Sequence, residues 1–208
     1  MSDDQPNGDD LLTLLDWKRQ IHELYASVRT DDDPKRAWMT WRRRRDELFR
    51  DHPQSPLPPH HRATFSGITY FDYDPQARVE AAFTGSAGDP IEAPGSSGRA
   101  FVVARRGSLA FDLYGGPQKL EMLWIEGYGG GAFVPFRDAT RGKTTYGGGR
   151  YILDTIKGAD LGMSGDRVIL DFKFAYNPSC SYDPRWACPL APPPNHLDIE
   201  IPAGERQR

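Results

Sequence analysis

The fold of this chain is decided by the stretch Ser108 to Glu126, which reads S-L-A-F-D-L-Y-G-G-P-Q-K-L-E-M-L-W-I-E. Residues 108–114 alternate apolar with small or polar side chains, whereas 119–126 are largely apolar on both faces. A period of two is typical of a β-strand, and a strand that is apolar on both faces belongs inside a sheet. Gly115, Gly116 and Pro117 favour a tight turn between them. The stretch therefore predicts an antiparallel hairpin within a larger sheet.

Further strands are predicted on both sides of this hairpin. They are expected at 67–73, 78–84, 100–105, 132–136, 167–174 and 197–201, with a short ordered piece at 151–156. Arg106-Gly107 separates the run at 100–105 from the hairpin, and a Gly/Ser/Pro-rich loop is expected over 85–98. Short links between successive strands favour an antiparallel meander. We therefore predict an α+β fold, a mostly antiparallel β barrel or sandwich with two N-terminal helices.

The two helices precede the β region. Apolar residues from Leu14 to Val28 follow helical spacing after the potential cap residues Asp9 and Asp10, and a second helix follows Asp33-Pro34. Prolines between 53 and 59 end it.

These limits predict the domain organisation. We expect one domain over 10–204, consisting of a helical unit at 10–52 and a β-rich body at 65–204, with a disordered acidic tail at 1–9 and a disordered tail at 205–208.

Composition argues against several classes of partner. The 208 residues are enough for one sizeable core, and the net charge of −3 provides no overall attraction to nucleic acid or membrane. There is no long apolar run, and the N-terminus is acidic where a secretory signal would be basic. We therefore expect a cytoplasmic protein with no nucleic-acid or membrane partner. The five histidines are not arrayed on strands, so no metal site is predicted, and the sequence identifies no cofactor.

A glycine-rich loop, Phe136 to Tyr151, is the candidate ligand site; it reads F-R-D-A-T-R-G-K-T-T-Y-G-G-G-R-Y. Glycines let backbone N–H groups converge on an anion, while nearby cations and hydroxyls supply charge and direction. The loop matches neither nucleotide-binding glycine motif. Its structural alternative is a tight turn passing close to another strand, with Arg150 paired to Asp154 or Asp138. The candidate ligand-binding residues are Asp138, Thr140, Lys143, Thr145, Tyr146, Gly147, Gly148, Gly149, Arg150, Tyr151, Tyr176, Asn177 and Arg45.

Arg45 is included because of its position on the second helix. The other arginines of this basic segment are expected on a solvated face, but Arg45 falls between Trp41 and Leu48 on the apolar stripe. A charged side chain there must extend to solvent, pair with a buried acid or reach a ligand.

The two cysteines, Cys180 and Cys188, allow several interpretations. They fit structural thiols or a disulfide, a catalytic thiol with His196 as its base, or a zinc site completed by His196 and Asp183. We expect their loop to lie near the glycine-rich loop.

Several of these motifs together resemble a known family. They are Asp138-x-Thr140, the run Thr145 to Tyr151, Asp171-Phe172, Ala175 to Pro178 with Cys180, and Cys188-Pro189-Leu190 followed by Asn195. In this combination the chain resembles, over roughly residues 35–204, a widespread prokaryotic family catalogued as the domain of unknown function number sixteen eighty-four. Two positions differ from the family pattern: Pro194 stands where members tend to carry a glutamate, and His196 stands where an arginine is more usual. The resemblance implies a fold and a site location, but no chemistry.

We predict that the protein binds a small anionic or polar ligand in the mouth of a β barrel, with aromatic walls from Tyr151, Tyr176 and Trp186. An enzyme built on this site would use Asp138 or Asp171 as base and Arg150 to stabilise negative charge.

Two alternatives stay open. In a split-barrel flavin-binding protein, the Arg, Lys and Thr of the glycine-rich loop would hold the cofactor's phosphate. In a structural or protein-interaction module, the T-Y-G-G-G-R-Y and Y-N-P-S-C segments would be fold-defining turns.

Overall fold

The structure is a computed structural model that describes residues 8–98, 100–126 and 130–207. Within these ranges the helices are α1 (Gly8–Thr30), α2 (Pro34–Asp51) and the short α3 (Pro59–Arg62). The strands are β1 (Arg78–Gly85), β2 (Pro90–Ala93), β3 (Phe101–Leu113), β4 (Gly116–Ile125), β5 (Gly131–Phe136), β6 (Arg150–Asp154), β7 (Met163–Ser164) and β8 (Arg167–Asp171). Of the acidic tail predicted at 1–9, residues 1–7 lie outside the described residues, and Gly8 and Asp9 begin α1.

The strands form one antiparallel sheet that curls into a half-barrel. Its order is β6-β5-β4-β3-β1-β8-β7, with β2 pairing to β3 off this path. The α+β class, the antiparallel sheet and the two N-terminal helices are thereby confirmed. The strand that is apolar on both faces, β4, lies between β3 and β5, in the sheet interior as predicted.

The predicted break at Arg106-Gly107 is a β-bulge within a continuous strand. β3 runs from Phe101 to Leu113, and its register against β4 shifts between Arg105 and Gly107. A Cβ at Gly107 would lie 2.5 Å from the carbonyl oxygen of Thr84 on β1. Glycine is therefore needed at this position for the close approach of the two strands. From the local sequence alone, the same glycine suggests a turn.

Two predicted strands are absent from the sheet, and the two short strands β2 and β7 were missed. Residues 67–73 form only the isolated bridge of Tyr70 with Glu205, and 197–201 runs along the loop after β5, where Leu197 N–H donates to Arg137 O at 2.8 Å. β2 lies inside the predicted loop at 85–98. Alternation detects one buried face but does not distinguish a ladder from an extended loop packed on the core.

The C-terminal segment is ordered as far as Gln207, where the sequence predicted a disordered tail over 205–208. Glu205 is completely buried, and Arg206 N–H donates to Thr69 O at 2.8 Å. Polar composition suggested exposure, but long-range pairing holds the segment inside the fold.

Two cores position the site. The first contains one face of the sheet and the C-terminal segment, including Leu120, Phe136, Phe172 and Ile201. The second joins the helices to the body; it is centred on Trp41, whose side chain is fully buried. Asp33 caps α2 by accepting from the backbone N–H groups of Lys35 and Arg36, both at 3.0 Å, which fixes the start of the helix that carries Arg45. No helix within the described ranges has the length and apolarity to cross a membrane.

Candidate functional site

Arg150, the first residue of β6, is buried and surrounded by acceptors from its own chain. Its Nη2 donates to Asp138 Oδ2 at 2.5 Å and to Ile201 O at 3.1 Å, and its Nη1 donates to Ala203 O and, at 3.4 Å, to Glu205 O. Burial lowers the pKa of Arg150, and Asp138 opposes that shift. These contacts fasten the C-terminal segment to the sheet and engage both Nη groups of Arg150.

Asp138 completes the same network. Its Oδ1 accepts from the backbone N–H of Thr140 at 2.8 Å and from the Thr140 hydroxyl, whose oxygen lies 2.8 Å from Thr145 Oγ1. All three side chains are buried. The pairing of Arg150 with Asp138, one of the two partners considered from sequence, therefore uses the polar groups that were expected to bind a ligand.

Of the three glycines, Gly149 serves a close backbone approach. Gly149 has φ +93°, and a Cβ there would lie 2.5 Å from Phe136 O on β5. The loop thus corresponds to the tight-turn interpretation. Gly147 is exposed, while Gly148 accepts from Arg137 Nε at 3.3 Å.

The other candidates of this loop are dispersed. Lys143 is exposed and lies 3.7 Å from Glu200, and Tyr151 is buried with its hydroxyl donating to Pro189 O at 2.5 Å. Tyr146 lies beside Cys180, with 3.8 Å between its hydroxyl and Sγ. The glycine-rich and cysteine-containing loops are therefore neighbours, as expected from the sequence.

Arg45 pairs with a buried acid, one of its three predicted possibilities. Its Nη1 donates to Glu205 Oε2 at 3.1 Å and to the Tyr70 hydroxyl at 2.6 Å. The guanidinium carbon lies 4.7 Å from the Trp41 ring centre and 5.5 Å from that of Tyr176. Burial raises the pKa of Glu205, and Arg45 opposes that rise. Arg45 Nε and Nη2 donate to none of the described residues.

Arg45 also lines a cleft of about 350 Å³ between the helices and the half-barrel, which we call the aromatic cleft. One side is formed by α1, α2 and the segment after α2, through Leu14, Trp17, Lys18, Ile21, Tyr25, Arg45, Phe49, Gln54 and Pro56. Its other side is formed by Lys157, Ala159, Tyr176, Asn177, Ser179, Tyr182, Trp186, Ala187 and Cys188. A concave, mostly apolar cleft with a few polar groups is typical of small-molecule sites.

Among the described residues, the charged side chains that line the aromatic cleft are all positive. Its described lining includes Lys18, Arg45 and Lys157 but no aspartate or glutamate. Lys157 lies 3.6 Å from Asp154, whereas Lys18 has no ion pair or hydrogen bond with the described residues. The cleft is therefore suited to a negatively charged group.

Several polar atoms of lining residues lack a hydrogen-bond partner among the described residues. They are Asn177 Oδ1, Tyr182 OH and Trp186 Nε1. Asn177 is held by its other groups, since its N–H donates to Glu205 Oε2 at 3.1 Å and its Nδ2 donates to Arg206 O at 3.0 Å. Burial raises the pKa of Tyr25 and Tyr176 above the usual tyrosine value, so both stay protonated.

Of the residues predicted to bind a ligand, only Arg45, Tyr176 and Asn177 line this cleft, together with the thiol residue Cys188. The predicted aromatic wall residue Trp186 lines it as well, but neither predicted base does. Asp138 pairs with Arg150, and Asp171 lies 2.9 Å from the buried ammonium of Lys173. The lining residues of α1 were missed because their helical spacing indicated only core packing.

The two thiols lie side by side. The Cys188 thiol is within hydrogen-bonding distance of Cys180 and lowers the pKa of Cys180 to about 6, with Ser96 and Tyr146 adding to this shift and burial opposing it. The same contact and burial raise the pKa of Cys188. The described residues contain no bridged cysteine and no group of three potential metal ligands. His196 Nε2 lies 3.1 Å from Ala191 O and has no hydrogen bond with either sulfur.

A second, larger groove of about 640 Å³ runs between α1 and α2. Its lining is mainly polar, and several of these polar side chains contact one another, such as Arg44 with Glu47 at 2.7 Å and His52 with Asp16 at 3.2 Å. These groups are already satisfied within the chain, so the aromatic cleft is the better candidate site.

Fold and cleft together define a half-barrel α+β protein with a cationic, aromatic cleft beneath its N-terminal helices. The model of the family described as "Protein of unknown function (DUF1684)" matches residues 63–206, and this chain belongs to that family.

A solved structure is also similar to this chain. The solution NMR structure of an uncharacterized protein from gene locus rrnAC0354 of Haloarcula marismortui is 35% identical, with a TM-score of 0.58, and the match covers 85% of this chain and 97% of that one. No curated protein matches the chain.

Proposed function

We propose that this protein binds a small organic anion with a planar, apolar body in the aromatic cleft. The lining carries the proposal, since it combines three cations and six aromatic side chains with no carboxylate among the described residues. Aromatic rings bury a flat apolar body, and cations in a partly desolvated site favour an anionic group. The cleft's volume of about 350 Å³ falls within the range of small-molecule sites.

The cations of the cleft have different roles in this proposal. Arg45 is neutralised by Glu205, but its Nε and Nη2 groups remain available as fixed donors. Lys18 and Lys157 supply the net positive charge. Asn177, Tyr182 and Trp186 supply neutral polar groups that orient the ligand.

The flavin alternative loses its phosphate ligands, because Arg150, Lys143 and Thr145 do not line the cleft. Arg150 and Thr145 are committed to buried contacts within the chain. Anion binding through Lys18, Lys157 and Arg45 is therefore the stronger proposal.

A pair of fluorescent probes that share one aromatic body tests this function. Anilinonaphthalenesulfonate is anionic, and N-phenylnaphthylamine is its uncharged counterpart. We expect saturable binding of the sulfonate at one site per chain, with weaker binding of the neutral probe. Lys18→Gln and Lys157→Gln should each raise the dissociation constant of the sulfonate by about two- to fivefold, the usual range for one exposed charge. The dissociation constant of the neutral probe should not change.

Lys143→Gln is the matched control, since Lys143 is an exposed lysine away from the cleft. It should change neither dissociation constant. If all three variants weakened sulfonate binding equally, binding would depend on the net charge of the protein and not on the cleft, which would contradict the proposal. Non-saturable binding of the sulfonate would also refute it.

A further inference from the structure

We propose that Cys180 and Cys188 form a dithiol site that reduces small hydroperoxides, with Cys180 as the attacking sulfur and Cys188 as the resolving one. The site goes beyond anion binding in the aromatic cleft, and its chemistry does not require a ligand there. The geometric basis is the Tyr146 hydroxyl 3.8 Å from Cys180 Sγ and the two backbone hydrogen bonds that fix Cys188 to Ser96, together with the side-chain hydrogen bond between the two thiols.

Each sulfur is fixed by its own backbone environment. Cys180 lies in the short 3₁₀ turn Ser179–Ser181. Cys188 is tied to the segment after β2, where its N–H donates to Ser96 Oγ at 3.0 Å and its carbonyl accepts from Ser96 N–H at 2.9 Å. Both cysteines lie outside the strands, so a bond between their sulfurs would not involve the sheet directly.

The two sulfurs differ in exposure and in hydrogen bonding. Cys180 is partly exposed, whereas Cys188 is buried with 5% of its surface accessible. The Tyr146 hydroxyl lies 3.8 Å from Cys180 Sγ, and burial raises the pKa of Tyr146 to about 12, so this hydroxyl stays a donor. Donors directed at Cys180 favour its thiolate, and the low pKa of Cys180 agrees with this geometry.

The reaction balances with a hydroperoxide as the oxidant. The Cys180 thiolate attacks one peroxide oxygen, the S–O bond forms as the O–O bond breaks, and the leaving oxygen takes a proton from solvent to give an alcohol or water. The Cys180 sulfenic acid is then attacked by the Cys188 sulfur. The S–S bond forms, the S–O bond breaks, and the departing hydroxide takes the Cys188 proton to give water. Because Cys180 is only partly exposed, the oxidant must be small.

The full-length reduced protein is treated with one equivalent of hydrogen peroxide, and free thiols are counted by alkylation and mass spectrometry. The wild type should lose both thiols and two hydrogen atoms, and dithiothreitol should restore them. Cys188→Ser should stop at a sulfenic acid that dimedone traps on Cys180, and Cys180→Ser should not react. Dimedone trapping on Cys188, or retention of both thiols in the wild type, would overturn the proposal.

A second measurement needs no cysteine variant. Alkylation of wild-type Cys180 by iodoacetamide should have its pH midpoint near the lowered pKa of about 6. Compared with an ordinary cysteine thiol of pKa about 8.5, Cys180 should react about tenfold faster at about pH 6 and about tenfold slower at about pH 9, because a less basic thiolate is also less nucleophilic. Tyr146→Phe should move the midpoint upward, whereas Tyr114→Phe, at an exposed tyrosine between β3 and β4 that donates to Asp74 Oδ2 at 2.8 Å, should not. A midpoint near that of an ordinary cysteine would refute the role of Cys180.

Discussion

Arg45 and Glu205 are separated by 160 positions in the chain and form a buried ion pair, with 3.1 Å between Nη1 and Oε2. The pair joins α2 to the C-terminal segment, and the same carboxylate oxygen accepts from the N–H of Asn177 at 3.1 Å. Burial has a cost for both charges, so the pair fixes the position of Arg45 in the cleft rather than adding much net stability.

Glu205→Leu should lower the free energy of unfolding by about 3–5 kcal/mol, because it leaves the buried Arg45 charge unpaired. Urea unfolding of the single variants and of Arg45→Met/Glu205→Leu measures the coupling. We expect the double variant to lose much less than the sum of the single losses, since both charges leave the interior together. Simple addition of the two losses would show that the ion pair is not coupled. Glu200→Leu, at an exposed carboxylate 3.7 Å from Lys143, is the control and should cost less than about 1 kcal/mol.

Arg150→Ala separates a structural role from a ligand-binding one. Removal of the guanidinium leaves Asp138 buried without its cation and frees the carbonyls of Ile201 and Ala203. We expect a loss of about 3–5 kcal/mol and a fall in Tm of roughly 10 °C, measured by circular dichroism. At a temperature where the variant is folded, its affinity for anilinonaphthalenesulfonate should equal that of the wild type. A variant that kept its stability but lost affinity for anilinonaphthalenesulfonate would show that Arg150 binds the ligand.

Gly149→Ala should destabilise the protein by about 2–3 kcal/mol, because alanine is strained at positive φ and its Cβ meets the Phe136 carbonyl. Gly147→Ala is the matched control in the same loop, since the nearest atom to its new Cβ is 4.0 Å away. The control should change the free energy of unfolding by less than about 1 kcal/mol. Equal effects in thermal denaturation would contradict the assigned role of Gly149.

Asn195 should be required for stability because its amide joins two strands. Its Oδ1 accepts from Glu121 N–H at 2.8 Å, and its Nδ2 donates to Pro135 O at 2.7 Å and to Glu121 O at 3.0 Å. Asn195→Ala should cost about 2–4 kcal/mol in urea unfolding, since it leaves buried backbone groups unsatisfied. His196→Ala, which removes a single bond to Ala191 O, should cost less than half as much. The reverse order would assign the anchoring role to His196.

Local sequence patterns were sufficient for much of the fold. Helical spacing and Pro34 located α1 and α2, and alternation located the hairpin of β3 and β4, because both patterns reflect which face of a regular element is buried. The same patterns misassigned 67–73 and 197–201, which are extended and pack on the core without joining the sheet.

By itself, the sequence determined the α+β class, the two helices, the position of Arg45 on a buried stripe and the closeness of two thiols in one loop. Only the tertiary structure decided that Arg150 pairs with Asp138, that Arg45 pairs with Glu205, and that the cleft lies beneath α1 rather than at the glycine-rich loop. The physical reason is that spacing along the chain records which side of a helix or strand is buried. Which cation meets which carboxylate depends on how segments pack: Arg45 meets Glu205, 160 positions away, when α2 packs against the C-terminal segment, and Arg150 meets Asp138 across the glycine-rich loop.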